Sequence, residues 1–133
     1  MFQHEWKCAW GEADPQGIAY YPRLINAMHC AGEEYMDDNG IAYWDIPEEY
    51  GVFLPIVAMD MEFERPVMVG DVLQISVEPE IGNKSLGMQF TATHEDGGTA
   101  YTGHEQHVCV SEEDNQSRPL PDEIKAILGD TAE

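Results

Sequence analysis

Four stretches between residues 55 and 111 alternate apolar and polar side chains, and very short connections separate them. Asp96-Gly97-Gly98 is a strong hairpin signal, because glycine accepts the positive φ values that tight hairpin turns require. Gly82-Asn83 marks a second short turn. Strands joined by such turns pair antiparallel, since a parallel pair needs a long crossover connection. The predicted strands span residues 55–65, 71–78, 84–95 and 99–111, and residues 2–10 alternate in the same way.

One long helix is predicted to cover the apolar face of this sheet. From Pro22 to about Asp38 apolar side chains recur at helical spacing, and Pro22 suits the first turn, where its missing N–H costs nothing. Asn39-Gly40 supplies the stop, and residues 121–128 predict a short terminal helix that ends at Gly129. The predicted class is therefore α+β: a curved antiparallel sheet of about five strands wrapped around one long helix, in a single domain over residues 1–133.

The charge of the chain is unusual. Twenty-six acidic side chains face six basic ones, which gives a formal net charge of −20. Such a surface repels nucleic acid and anionic membranes, so neither is expected as a partner. The acids are spread along the chain, which indicates a folded acidic surface and not a disordered tail. Many acids combined with only three lysines suggest a protein from a high-salt cytoplasm, where ions screen self-repulsion. An ordinary acidic protein is the alternative interpretation.

Cysteine usage and hydropathy point to the cytoplasm. The three cysteines are an odd number without metal-ligand spacing, so neither a disulfide framework nor a metal site is expected. The N-terminus lacks the pattern of a secretory signal, and no apolar stretch approaches the roughly 20 residues that span a membrane.

The stretch just before the long helix contains the best candidate for chemistry, Asp14. Asp14-Pro15 and the nearby Gly17 predict a tight loop, which places a carboxylate a few residues before free backbone N–H groups and a partial positive charge. From the residues alone two interpretations stay equal. The carboxylate is either a reactive group or a side chain that stabilises its own turn by hydrogen bonds.

This loop resembles the signature of a known family, the hotdog-fold acyl-CoA thioesterases of the 4-hydroxybenzoyl-CoA thioesterase type. The likeness runs from about residue 3 to residue 128, and one departure is that Glu12 stands where the family often has aspartate. The segments that carry it are Asp14-Pro15-x-Gly17-Ile18-x-Tyr20-Tyr21-Pro22 and, more weakly, Arg65-Pro66-Val67-x-x-Gly70-Asp71.

The resemblance implies the fold, the activity and the site. It implies hydrolysis of an acyl-CoA thioester, with Asp14 as nucleophile or general base and the backbone amide of Tyr21 as donor to the oxyanion. It implies a homodimer or homotetramer with sites at the interface, and no cofactor beyond the coenzyme A of the substrate. The substrate-binding candidates are Gly17 and Tyr20 in the loop, and Arg65, Lys84 and Arg118 as cations for the CoA phosphates.

Several alternatives stay open. A related thioesterase type uses a helical glutamate, so Glu33 and Glu34 are rival catalytic groups, although helical acids usually form a solvated face. A non-catalytic acyl-CoA or small-ligand binding module on the same fold is the second function class. A dehydratase is less favoured, because the histidines form no pair with an acid in the required spacing; His104 and His107 are predicted on opposite faces of one strand. The aromatic residues that would suit an aryl or short branched acyl group are Tyr43, Trp44 and Tyr50.

The net charge predicts salt-dependent stability. Twenty uncompensated negative charges repel strongly at low ionic strength, and the Debye length shrinks from ~30 Å at 0.01 M to ~3 Å at 1 M salt. The midpoint of thermal unfolding should therefore rise as potassium chloride increases toward molar levels. A midpoint that stays flat or falls over that range would show that the acidic surface is not an adaptation to high salt.

Overall fold

The computed structural model describes residues 2–129. Two short 3₁₀ turns, at Trp10–Glu12 and Tyr43–Asp45, precede the long helix and the second helix. The helices and strands are β1 (Gln3–Lys7), α1 (Tyr21–Asp38), α2 (Ile46–Tyr50), β2 (Val52–Phe53), β3 (Ile56–Phe63), β4 (Val72–Ile81), β5 (Ser85–His94), β6 (Thr99–Val108), β7 (Val110–Ser111) and α3 (Asp122–Gly129).

Five strands form one antiparallel sheet in the order β1-β4-β5-β6-β3, and β2 and β7 form a separate two-stranded pair. The β4–β5 and β5–β6 hairpins use the two turns predicted from the sequence. Gly97 has a φ of 91°, a value that favours glycine, and its N–H donates to the carbonyl of His94 at 2.9 Å. The predicted α+β architecture of five strands and one long helix is confirmed.

The long helix α1 lies on the apolar face of the sheet. Its 18 residues make a rod of about 27 Å, and the side chains that face the sheet recur every three to four positions. The opposing strands contribute every second residue, as their alternation predicts. The buried side chains between them include Leu24, Ala27, Met28, Ala31 and Met36 of the helix and Leu73, Ile75, Val77, Leu86, Met88, Phe90, Ala92 and Tyr101 of the sheet.

Two glycines let the helix approach the sheet closely. A Cβ atom on Gly32 would lie 3.1 Å from Met88 Sδ and 3.3 Å from the ring of Phe90. A Cβ atom on Gly103 of β6 would overlap Met28 Sδ of α1 and would lie 3.1 Å from the carbonyl oxygen of Asp60. The separation of helix and sheet is therefore set at these two positions.

The N-terminal strand is shorter than the sequence predicts, whereas the C-terminal helix agrees with the prediction. Strand β1 stops at Lys7, so the predicted strand over residues 2–10 is too long: Cys8 is buried, but Trp10 lies in a 3₁₀ turn and is 82% exposed. Cys8 still follows the β1–β4 register, since its N–H donates to the carbonyl of Asp71 at 2.8 Å, and the chain leaves the sheet after it in the 3₁₀ turn at Trp10–Glu12. The terminal helix is confirmed at Asp122–Gly129.

Strand β3 is an exposed edge. Met59, Met61 and Phe63 lie on the helix side of the sheet, because they pair with the inward-facing β6 positions 105, 103 and 101. Met61 packs partly against the core, whereas Met59 and Phe63 are 42% and 52% exposed, and most of β3 is accessible to solvent. A row of apolar side chains on an unpaired edge is a surface that proteins usually cover.

No helix within residues 2–129 combines the length and the apolar character that crossing a membrane requires.

Substitution of Gly103 by alanine tests the close approach. The new Cβ would meet Met28 Sδ in a fully buried contact, so Gly103→Ala should lower the free energy of unfolding by about 1–3 kcal/mol. Gly87→Ala on neighbouring β5 is the matched control, because its nearest atoms are the movable side-chain ends of Glu80, His104 and Gln106. Urea unfolding in molar potassium chloride measures both. Equal free energies of unfolding for the two variants would contradict the close approach of α1 to the sheet at Gly103.

Candidate active site

Asp14 organises the loop that contains it. Its Oδ1 accepts hydrogen bonds from the N–H groups of Gln16 at 2.9 Å and Ile18 at 3.3 Å. Its own N–H donates to the Ile18 carbonyl at 2.9 Å, and the Gly17 N–H donates to the Asp14 carbonyl at 2.9 Å. Gly17 has a φ of 82°, so glycine suits this position. These are the bonds that the turn-stabilising interpretation predicts; they use Oδ1 and leave Oδ2 outside the turn.

The loop is attached to the turn that follows β3. The Ala19 N–H donates to the Val67 carbonyl at 2.7 Å, and Ile18 forms an isolated antiparallel bridge with Met68. The Asp71 side chain in turn accepts a hydrogen bond from the Met68 N–H at 2.8 Å. The two sequence segments that carry the family resemblance are therefore neighbours in space.

The start of α1 presents an open backbone amide. The N-cap residue, Tyr20, makes no capping bond with its side chain, and the first turn holds no acidic residue. Pro22 has no N–H, and the Arg23 N–H already donates to the Tyr20 carbonyl at 2.8 Å. Of the backbone N–H groups of Tyr21 and Arg23, that of Tyr21 is therefore the free donor. An N–H group in the first turn of a helix has no acceptor within the helix. The Tyr20 N–H donates to the Glu12 carbonyl at 2.9 Å, which holds the loop beside this helix start.

A largely apolar cavity of about 340 Å³ opens at the helix start. Tyr21 and Arg65 line it, whereas Asp14, Gly17 and Tyr20 lie in the adjoining loop outside its wall. The lining residues are Ile18, Ala19, Tyr21, Leu24, Phe63, Glu64, Arg65, Pro66 and Val67.

The three candidate cations lie at two ends of the sheet. Arg65 is at the cavity, and its guanidinium binds the Asp96 carboxylate at 2.8 Å, a hydrogen bond that lowers the pKa of Asp96. Lys84 is exposed in the β4–β5 turn, and Arg118, in the segment that leads to α3, pairs with Asp114 at 2.9 Å. Strand β4, ten residues or roughly 30 Å long, separates these two from the loop. Of the three, only Arg65 is beside the cavity.

The rival helical acids lie away from the cavity. Glu33 Oε2 is 3.1 Å from His29 Nε2, one turn earlier on α1, and Glu34 is exposed. Neither side chain lines the cavity at the helix start.

A buried polar cluster, not predicted from the sequence, connects α1 to the sheet. Glu105 on β6 is 2% exposed, and its Oε2 lies 3.2 Å from His29 Nδ1 while its Oε1 lies 3.3 Å from His107 Nε2. His107 is fully buried, and its Nδ1 lies 2.9 Å from the Leu54 carbonyl. The Tyr43 hydroxyl is 3.3 Å from the His107 ring nitrogens. We call Glu105, His29 and His107 the buried clamp.

The protonation of the buried clamp follows from its contacts. The hydrogen bond to Glu105 raises the pKa of His29, outweighing the effect of burial. Burial alone would raise the pKa of Glu105, but the hydrogen bonds with His107 and His29 outweigh it and lower this pKa to about 2. Burial, with the charge of Glu105, raises the pKa of Tyr43 and keeps its hydroxyl neutral. At neutral pH the clamp therefore holds a carboxylate inside the protein.

One sequence signal could have located this cluster. The prediction that His104 and His107 lie on opposite faces of their strand is confirmed. Extending the same alternation puts Glu105 on the buried face with His107. The contact with His29 has no signal in the sequence, because 76 residues separate it from Glu105.

Known proteins resemble this chain over most of its length. A 1,4-dihydroxy-2-naphthoyl-CoA hydrolase from Nostoc punctiforme is 31% identical over 114 residues, which are 85% of this chain and 76% of the relative. Another from Synechococcus elongatus is 27% identical over 134 residues, covering 99% and 98%.

Solved structures share the fold. A 1,4-dihydroxy-2-naphthoyl-CoA thioesterase from Synechocystis has a TM-score of 0.90 at 19% identity, with 97% of this chain and 96% of that chain covered. A Staphylococcus aureus protein in complex with CoA has a TM-score of 0.89 at 15% identity, with 97% and 82% covered.

The fold, the loop beside an open helix start and these likenesses define the class of protein: a hotdog-fold enzyme that hydrolyses thioesters. The sequence model of the thioesterase-like superfamily matches residues 8–128 of this chain. The chain therefore belongs to that family.

Proposed function

We propose that the protein hydrolyses an acyl-CoA thioester with the carboxylate of Asp14 and the backbone amide of Tyr21. The observation that carries the proposal is the meeting of three features: a loop carboxylate with Oδ2 outside the turn bonds, an open amide at the start of α1, and an apolar cavity lined by Tyr21. A helix start favours negative charge, so an oxyanion at this amide is stabilised.

The carboxylate acts by one of two routes. As nucleophile, an Asp14 oxygen attacks the carbonyl carbon, the C–S bond breaks, the CoA thiolate leaves and takes a proton from water, and a second water hydrolyses the resulting anhydride. As general base, Asp14 takes a proton from a water molecule whose oxygen attacks the same carbon, and the thiolate leaves in the same way. Both routes pass through a tetrahedral oxyanion that accepts a hydrogen bond from the Tyr21 N–H.

The acyl group is proposed to occupy the 340 Å³ cavity, which suits an aryl acyl chain because its wall is largely apolar. The aromatic candidates Tyr43, Trp44 and Tyr50 are not among its lining residues; Tyr21 and Phe63 provide the aromatic surface instead. The names of the curated relatives make 1,4-dihydroxy-2-naphthoyl-CoA the first substrate to test.

The coenzyme A portion is proposed to leave the cavity past Arg65, with Gly17 and Tyr20 beside it in the loop. The solved neighbour in complex with CoA supports binding of CoA by this fold. Lys84 and Arg118 lie at the far end of the sheet, so we propose that they contact a CoA molecule only if a second subunit brings them to it.

A second copy of the chain is proposed to cover β3. The edge strand exposes Ile56, Val57, Met59 and Phe63, and Phe63 also lines the cavity. A copy that pairs with β3 would bury this apolar row and add a wall to the cavity. The proposed assembly is thus a homodimer, or a homotetramer made from two such pairs.

The alternative, a non-catalytic acyl-CoA binding module, also has an observation in its favour. The hydrogen bonds of Asp14 Oδ1 within its own turn would serve a binding loop equally well. The two functions differ in whether the charge of Asp14 is needed for turnover.

Replacement of Asp14 by asparagine separates them. Asp14→Asn keeps the size of the side chain and the acceptor for the turn bonds but removes the charge, so kcat should fall by at least ~10² while folding and mass stay unchanged. Thiol release from a panel of acyl-CoAs, measured with Ellman's reagent in molar potassium chloride, gives the rate. Glu34→Gln, which neutralises an exposed helical acid, is the matched control and should turn over normally.

Normal turnover by a folded Asp14→Asn protein would remove Asp14 from the mechanism. Little loss of rate together with a lower unfolding temperature is the pattern that the turn-stabilising interpretation predicts. Binding of acyl-CoA without thiol release by the unmodified protein would favour the binding module.

The assembly has its own test. Light scattering in concentrated salt should give at least twice the 14.9 kDa mass of one chain. Met59→Asp places a charge in the middle of the exposed β3 row and should yield monomers with reduced turnover, because the cavity loses its second wall. Asp60→Asn, on the opposite face of the same strand, is the control that should keep the mass. A monomeric mass of the unmodified protein would contradict the proposed assembly.

A further inference from the structure

The buried clamp has no part in the chemistry proposed above, although it places a charge in the interior. Burying a carboxylate carries a desolvation penalty that its contacts need not fully offset, and apolar side chains of the same volume often give an equally stable protein. Buried ionic groups are best known for fixing the register of one element against another. The clamp links the middle of α1 to β6 and to the segment before β3, through the Leu54 carbonyl.

The apolar contacts of α1 set its depth on the sheet, and the polar contacts add a directional constraint along the helix axis. Leu24, Met28 and Met36 pack on the sheet, and the glycines at 32 and 103 set its depth. Apolar burial is non-directional, so it resists a small slide along the helix axis less sharply than hydrogen bonds do. The contacts from His29 to Glu105 and from Glu105 to His107, at 3.2 and 3.3 Å, are directional and resist that slide.

His29 lies eight residues after Tyr21 on the same uninterrupted helix, which is a separation of about 12 Å. A displacement of the helix at His29 therefore moves the Tyr21 amide by a similar amount. Misplacing a catalytic group by about 1 Å can cost 10² in rate, so an oxyanion donor is sensitive to such a movement.

We propose that Glu105, with His29 and His107, is a positioning residue that sets where the start of α1 stands relative to the cavity. The inference rests on the proposed function for its effect on turnover. Glu105 acts through the helix and touches neither the substrate nor Asp14.

The proposal implies a pH dependence. His29 faces Glu33 on its own helix, Glu105 on β6 and the Tyr43 ring, while the cross-strand neighbours of Glu105, Met59 and Met88, are uncharged. The pKa of His29 is raised, so the ionic form of the clamp is complete below the ordinary range of histidine and is lost as pH rises through the raised value. The start of α1 is then held less firmly, and kcat falls on the alkaline side.

Two variants of the clamp test the proposal. Glu105→Gln should lower kcat per folded molecule by about tenfold with KM within about twofold, because the donor moves while the cavity remains. Its alkaline limb should also be lost, since without the carboxylate of Glu105 the charge state of His29 no longer acts on the position of α1. His29 is half-buried, so His29→Gln should destabilise the protein less than Glu105→Gln does. It should lower kcat and abolish the fall of kcat at alkaline pH.

A matched control lies on the same strand. His104 Nε2 is 2.7 Å from Glu80 Oε1 on the face of the sheet turned away from α1. His104→Gln breaks a histidine–carboxylate pair of the same kind and should leave kcat and its pH profile unchanged. An equal loss in His104→Gln would overturn the proposal, as would normal kcat in both clamp variants at every pH.

A second measurement separates this proposal from the proposed function. The backbone amide shifts of Arg23 and Leu24, followed by NMR as pH rises, should titrate with His29 in the unmodified protein and lose that transition in Glu105→Gln. If no acyl-CoA is hydrolysed, the proposed function fails. The amide shifts still test whether the clamp positions the start of α1, because they do not depend on turnover. If the amide shifts at the start of α1 do not change as His29 titrates, the proposed positioning role of Glu105 is overturned.

Discussion

The closeness of α1 to the sheet is the constraint on which the rest of the structure depends. Gly32 on the helix meets Met88, and Gly103 on β6 leaves room for Met28, so a rigid rod of about 27 Å lies directly on the strands. Because the rod is rigid, its depth at the middle also determines where its first residue lies. Packing two to three turns away therefore sets how far the open amide of Tyr21 stands from the sheet.

The loop before α1 complements this packing. Hydrogen bonds attach Ala19 to Val67 and Tyr20 to Glu12, so the chain enters the helix from a defined direction. Asp14 is held in this loop by one carboxylate oxygen. A single short segment thus places both groups of the proposed mechanism, the acid and the amide, within a few residues of each other.

Acidic side chains occur in two different environments in this protein, the solvent-exposed surface and the buried interior. Most belong to a surface with a net charge of −20, where repulsion falls as salt screens the charges. Glu105 instead lies inside, where screening is ineffective and hydrogen bonds with His29 and His107 compensate the cost of burial. The exposed apolar edge at β3 belongs to neither group of acids, although Asp60 and Glu62 alternate with its apolar side chains.

The architecture and the position of the loop could be predicted from the amino-acid sequence, because both depend on local patterns. Alternation located β4, β5 and β6, helical spacing and Asn39-Gly40 bounded α1, and the segment around Asp14 carried the family resemblance. Tertiary structure decided the rest. The clamp joins His29 to Glu105 across 76 residues, and the cavity combines the helix start with the end of β3. The strand predicted to reach residue 10 ends early because the chain enters a 3₁₀ turn at Trp10–Glu12. Periodicity reports which face of an element is buried, whereas contacts between distant elements depend on how those faces meet in space.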